Sequence, residues 1–112
     1  MNNLYYLRSN DELKALIKDE TTLIIVDFFA MWCSPCRMIA PKFEELSKKY
    51  PAIFVKIDVD KFKVNKLETI ETALQYDIEA VPTYVAIKGG QIVDVIVGAS
   101  IENVEDMIKR WI

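Results

Sequence analysis

Apolar and polar positions follow two periods along this chain. Leu23-Ile24-Ile25-Val26-Asp27-Phe28-Phe29 is an almost unbroken apolar run of strand length, the pattern of a strand covered on both faces. Met38-Ile39-Ala40-Pro41-Lys42-Phe43-Glu44-Glu45-Leu46 then places its apolar residues at helical spacing, and the helix is expected to run to about Lys49 and stop before Pro51. Leu4–Leu7 reads as a short first strand. Ser9-Asn10-Asp11-Glu12 is a capping box that opens a helix with Leu13, Leu16 and Ile17 on one face. Ile53–Val59 is another strand. From Lys61 to Tyr76 the apolar residues Val64, Leu67, Ile70, Ala73 and Leu74 recur at helical spacing, with Asn65 and Glu68 as one possible cap.

Val81–Ile87 and Ile92–Val97 flank Lys88-Gly89-Gly90-Gln91, a hairpin signal. Ser100 caps a last helix with Val104, Met107, Ile108 and Trp111 on its inner face. The order is βαβαβαββα. Alternating units imply parallel pairing and the late hairpin adds antiparallel strands, so an α/β protein with a mixed five-stranded sheet and four helices on both faces is expected.

Composition narrows the function classes. The 112 residues suit one domain, residues 1–112, with a single core. They are 52% hydrophobic and 28% charged, which argues against disorder. A formal net charge of −3 gives no basic field for nucleic acid or an anionic membrane. Apolar stretches are far too short to span a bilayer, and Met1–Arg8 has no signal-peptide core, so the chain reads as cytoplasmic, with a monomer as the default expectation.

The chemistry concentrates in Trp32-Cys33-Ser34-Pro35-Cys36, which holds the only two cysteines. The pair sits where a buried strand ends and a helix begins. The orphan N–H groups and positive dipole end of a helix stabilise an anion there, so a thiolate forms more readily. Cys33, expected to be exposed, can attack a disulfide in another protein. Cys36, one turn deeper, can then attack Cys33 and release the reduced substrate. Pro35 restricts the loop, and Trp32 offers a flat apolar surface for docking. The chain has no histidine, so Cys–His catalysis and histidine-containing metal sites are excluded. Two thiolates alone fall short of the four ligands of a zinc site.

Two further features stand out. Asp27 interrupts its apolar strand, where burial raises a carboxyl pKa and makes the group a candidate to take a proton from Cys36 and return it. A satisfied structural carboxylate is the alternative. Lys56 interrupts the strand expected alongside and is a candidate charge partner, or else a snorkelling edge lysine. In Ala80-Val81-Pro82-Thr83, Pro82 stands where a cis bond is plausible. That bond would open the Val81 backbone to an extended peptide.

Taken together, the Asp-Phe-Phe-Ala-Met-Trp-Cys-Ser-Pro-Cys-Arg-Met-Ile-Ala-Pro segment, Val81-Pro82-Thr83, Gly89-Gly90 and Val97-Gly98-Ala99 resemble the thioredoxin family over nearly the whole chain. The resemblance implies the thioredoxin fold and a protein-disulfide reductase, an electron carrier in cell redox homeostasis. It makes Cys33 the attacking and Cys36 the resolving cysteine, Asp27 the family's buried aspartate, Lys56 its neighbouring lysine and Pro82 its cis-proline. Trp32, Ser34, Pro35, Val81, Pro82, Gly98 and Ala99 become the client-docking rim. It implies no bound metal or organic cofactor, only a redox-active Cys33–Cys36 disulfide. Electrons would come indirectly from NADPH through a thioredoxin reductase and pass to oxidised clients such as peroxiredoxins. A thiol oxidase or isomerase on the same fold, or a non-catalytic binding subunit, are the alternatives. Three positions depart from the family pattern: Ser34 for the usual Gly, Phe29 where many members carry Trp, and a longer segment between Asp60 and Pro82, with Lys61–Lys66 as the extra part.

Overall fold

A computed structural model describes residues 3–7, 10–19, 21–62, 78 and 80–112. The chain runs β1 (Leu4–Tyr6), α1 (Asn10–Ile17), β2 (Ile24–Phe29), α2 (Ser34–Lys49), β3 (Ile53–Asp58), α3 (Val59–Phe62), β4 (Thr83–Lys88), β5 (Gln91–Val97) and α4 (Ile101–Trp111). One five-stranded sheet has the order β1-β3-β2-β4-β5. β3 pairs in parallel with β1 and β2, whereas β4 pairs antiparallel with β2 and β5. The expected mixed sheet with helices on both faces is present.

The apolar run of β2 is buried because the sheet is covered on both sides. On one face Ile24, Val26 and Phe28 pack with Leu13 of α1 and with Val55, Ile57, Val85 and Ile87. On the other, Ile25 joins Ile39, Phe43 and Leu46 of α2 and Val104, Met107 and Ile108 of α4. Side chains alternate across a strand, so Asp27 shares the second face with Ile25. Direct register partners then line up as Lys56 on β3, Asp27 on β2 and Tyr84 on β4. This polar row crosses a face whose core is mostly apolar, with the buried Asp58 two residues beyond Lys56 on the same side of β3.

Several boundaries differ from the sequence pattern for local reasons. β3 ends at Asp58 rather than Val59, because Asp58 Oδ1 accepts the N–H groups of Asp60 (3.0 Å) and Lys61 (3.4 Å) and so opens a helical turn. β4 starts at Thr83 rather than Val81, since Pro82 has no N–H for the ladder. Trp111 packs against the core from the inner face of α4, as expected, but is only half-buried, with its indole N–H donating to Asp94 at 3.0 Å. Ser9 of the proposed capping box, the Asn65/Glu68 cap and the Lys61–Lys66 stretch beyond Phe62 lie outside the described residues. Gly89 and Gly90 both have positive φ (64° and 73°), the backbone a tight β4–β5 hairpin requires and that glycine adopts without strain.

Candidate active site

β2 delivers the chain to the start of α2, and the two cysteines meet there as a disulfide with a Cα–Cα distance of 5.3 Å. Cys33 is the N-cap of α2, with extended backbone, and its sulfur accepts the Cys36 N–H at 3.2 Å. The Cys33 carbonyl accepts the Arg37 N–H and thereby begins the helix. Pro35 lies in the first turn, where a missing N–H breaks no helical bond. No acidic residue occupies that turn. A negative charge on the Cys33 sulfur would thus sit against a helix N-terminus with an N–H already aimed at it.

The sequence placed Cys33 at the surface, and the structure corrects this. Cys33 and Cys36 are each 4% exposed, so accessibility does not distinguish them. Phe29, Val59 and Val81 pack around the pair together with Ala30. Position distinguishes the two instead. Cys33 stands outside the helix with its sulfur 3.7 Å from the Val81 carbonyl oxygen. Cys36 lies inside the helix and lines a cavity of about 400 Å³ together with Phe29, Arg37 and Lys56.

Around the disulfide the surface is apolar and open. Met31, Trp32, Met38 and Val97 are exposed, Trp32 by 69%. The Trp32 indole N–H donates to Asp60 Oδ2 at 2.7 Å, which holds the ring beside the cysteines. Arg37 donates to the Met31 carbonyl at 2.6 Å. Across the cleft the Val81–Pro82 peptide bond is cis, as anticipated, and the Pro82 carbonyl accepts the Gly98 N–H at 3.0 Å. Gly98 has φ 110°, a conformation L side chains rarely adopt. Ser34, Pro35 and Ala99 are exposed and Val81 half-buried. Of the residues anticipated for the rim, Trp32, Ser34 and Pro35 flank the cysteines in sequence, Val81 reaches Cys33 through its carbonyl, and Pro82 is bonded to Gly98. A hollow of about 320 Å³ lies between Pro35, Met38, Ala99 and Ile101.

The carboxyl of Asp27, on the β2 strand that leads to the cysteines, is 1% exposed. Loss of hydration pushes its pKa up to about 7, with the Lys56 ammonium partly opposing the rise. Lys56 Nζ is 3.7 Å from Asp27 Oδ2. Lys56 is itself buried rather than an edge lysine, and its ammonium rests 4.7 Å from the centre of the Phe29 ring and 5.8 Å from that of Tyr6. Asp27 Oδ1 has no hydrogen-bond partner among the described residues. Such a carboxyl changes protonation near neutral pH, and its ion-pair partner Lys56 lines the same cavity as Cys36.

Comparison with known proteins agrees with this geometry. The thioredoxin family model matches residues 5–110. The chain belongs to the thioredoxin family. Thioredoxin H4 of Arabidopsis thaliana is 45% identical over 95 residues, 83% of this chain and 74% of that protein. A crystal structure of Schistosoma mansoni thioredoxin superimposes with a TM-score of 0.84 at 51% identity, covering 97% of this chain and 95% of that one. Fasciola hepatica thioredoxin gives 0.83 at 40% identity, covering 96% and 99%. With its cysteine pair in place, this thioredoxin is a protein-disulfide reductase. Thioredoxins carry no prosthetic group, and among the described residues no cluster of three or more His, Cys, Asp or Glu could hold a metal.

Two residues of the site escaped sequence reasoning. Asp60 holds Trp32 across 28 positions, a link that no local spacing signals. Tyr84 is the register partner of Asp27 and is fully buried, yet in the sequence it is one more apolar-compatible residue of a strand. The one available signal was its hydroxyl in an apolar run.

Proposed function

We propose that the chain acts as a single thioredoxin domain that reduces protein disulfides with Cys33 as nucleophile and Cys36 as resolving thiol. In the reduced protein the Cys33 thiolate attacks one sulfur of a client disulfide. The client S–S bond breaks, a mixed disulfide forms, and the first client thiolate leaves and takes a proton. Cys36 then gives its proton to the Asp27 carboxylate and attacks the Cys33 sulfur. That bond expels the second client thiolate, which is protonated in turn, and two electrons have passed from the cysteine pair to the client. The single observation that carries the assignment is the Cys36 N–H aimed at the Cys33 sulfur, because it stabilises charge on one sulfur of the pair and not the other.

The remaining roles follow from place. Asp27 is the proton acceptor and donor, and Lys56 keeps part of its population ionised. Both sulfurs are nearly covered, so a client must seat its disulfide between Trp32 and Val81, with Ser34, Pro35, Pro82, Gly98 and Ala99 completing the rim. Clients are oxidised proteins such as peroxiredoxins, and an NADPH-dependent thioredoxin reductase returns the pair to the dithiol. The protein works as a monomer in the cytoplasm. Among the described residues no helix is long and apolar enough to cross a membrane. The intact cysteine pair counts against a purely binding role.

Reduction of insulin disulfides with dithiothreitol as electron source tests this. The wild type accelerates precipitation of the insulin B chain, and the Cys33→Ser, Cys36→Ser double variant falls to the uncatalysed rate. Equal rates for the two would leave only a binding function.

A further inference from the structure

Two polar atoms are stranded in the core, and they belong to neighbouring residues. Asp27 Oδ1 and the Tyr84 hydroxyl are buried with no hydrogen-bond partner among the described residues. Asp27 and Tyr84 are direct partners in the β2–β4 ladder, so their side chains leave the same face of the sheet with Cβ atoms about 5 Å apart. Tyr84 is 0% and Asp27 1% exposed. Each unsatisfied buried group costs about 1–3 kcal/mol, and a single water donating to one and accepting from the other removes both penalties.

We propose that Tyr84 is a positioning residue of the proton-transfer step: its hydroxyl and Asp27 Oδ1 hold one buried water, through which Tyr84 stabilises the ionised carboxyl. The proposal rests on the assignment of Asp27 as proton acceptor for Cys36. Asp27 must be ionised to accept that proton, and burial works against it. Lys56 supplies one compensating charge on the Oδ2 side. Nothing else described supports Oδ1. Burial, and after it the Asp27 charge, push the Tyr84 hydroxyl pKa up, so it keeps its proton throughout the working range and acts as a permanent donor. The ring is fixed by packing against Phe43, with centroids 5.5 Å apart. The groups that face Asp27 are few. Lys56 comes from β3, with the buried Asp58 two residues further along the same strand face, and Tyr84 from β4, while α2 buries Cys36, Ile39, Phe43, Leu46 and Ser47 and α4 only Val104, Met107 and Ile108.

Tyr84→Phe removes the oxygen and keeps the ring. The Asp27 carboxyl is followed by its carbon-13 resonance against pH in the reduced protein. The expected result is an Asp27 acid about three- to tenfold weaker in the variant, the equivalent of one lost hydrogen bond. The pH profile of mixed-disulfide resolution should move up by the same factor while the wild-type fold is retained. An unchanged or stronger Asp27 acid overturns the proposal. The wild type gives a check that needs no variant: the Tyr84 ring carbon bearing the hydroxyl must shift as Asp27 ionises, and a flat response also overturns it. Failure of the Asp27 assignment looks different. In that case Asp27→Asn leaves the resolution profile unaltered, whatever Tyr84→Phe does to the carboxyl titration.

Discussion

Asp27 Oδ2 and Lys56 Nζ stand 3.7 Å apart on directly paired residues of β2 and β3. The separation is that of an ion pair and too long for a strong hydrogen bond. It explains why the buried carboxyl, although beside a cation, still has its pKa raised to about 7. Desolvation acts on the whole charge, whereas the lysine returns only part of what hydration supplied. A better-placed partner would have made Asp27 an ordinary, permanently ionised carboxylate.

The first prediction concerns stability against pH. A carboxyl whose folded pKa lies above its unfolded value stabilises the fold fully below the unfolded pKa, and that contribution is lost as pH rises through the folded one. For Asp27 the window runs from 3.8 to about 7. The loss across it is on the order of 4 kcal/mol. Asp27→Asn should remove most of this slope and be the more stable protein at pH 8. Urea unfolding midpoints from pH 4 to pH 8 measure it, and parallel curves for the two proteins would contradict the assignment of burial as the cause.

The second concerns Asp60. Its carboxylate accepts the Trp32 indole N–H at 2.7 Å on an exposed surface. Asp60→Ala should change stability by less than about 1 kcal/mol, because the indole N–H it frees on this exposed surface regains water. Freed from that anchor, the ring should dock clients less well, with KM for insulin rising about threefold and kcat nearly unchanged, the effect of about 0.7 kcal/mol of binding. Steady-state kinetics read the split, and a fall in kcat alone would show that Trp32 does more than dock.

The third concerns the edge of the sheet. Asp94 of β5 accepts from Arg110 Nη2 at 2.7 Å and Trp111 Nε1 at 3.0 Å, which ties the end of α4 to the sheet. Burial pulls its pKa upward, but these bonds and the Val95 N–H outweigh it and hold the carboxyl below its usual range. The sign is opposite to that of Asp27. Here stability is present above the unfolded value of 3.8 and is lost as pH falls through the lower folded one. Asp94→Ala should cost about 1–3 kcal/mol at pH 7, with a shrinking difference below pH 4. Thermal unfolding at pH 7 and pH 3 measures it.

Much of this was legible in the sequence because the residues are chemically out of place. Asp27 and Lys56 announce themselves as charges in apolar strands, and their pairing follows from parallel neighbours in register. The cysteine pair announces itself by its spacing and by Pro35 at a helix start. What escaped was long-range. The cover over Cys33 comes partly from Val59 and Val81, residues far along the chain that only the folded sheet brings to the sulfurs. The Asp58 cap that ends β3 one residue early is a side chain competing with the strand ladder, a choice that apolar patterning does not encode. The Tyr84 hydroxyl was invisible because tyrosine suits a strand on packing grounds alone.

The central claim is that Cys33 is the acidic thiol of the pair, and alkylation of the reduced protein against pH tests it most directly. With iodoacetamide and mass spectrometry by residue, Cys33 should be modified first, with a midpoint below the roughly 8.5 of a free cysteine. Cys36 should react later and only at higher pH. Preferential labelling of Cys36, or a Cys33 midpoint at the free-thiol value, would contradict the account.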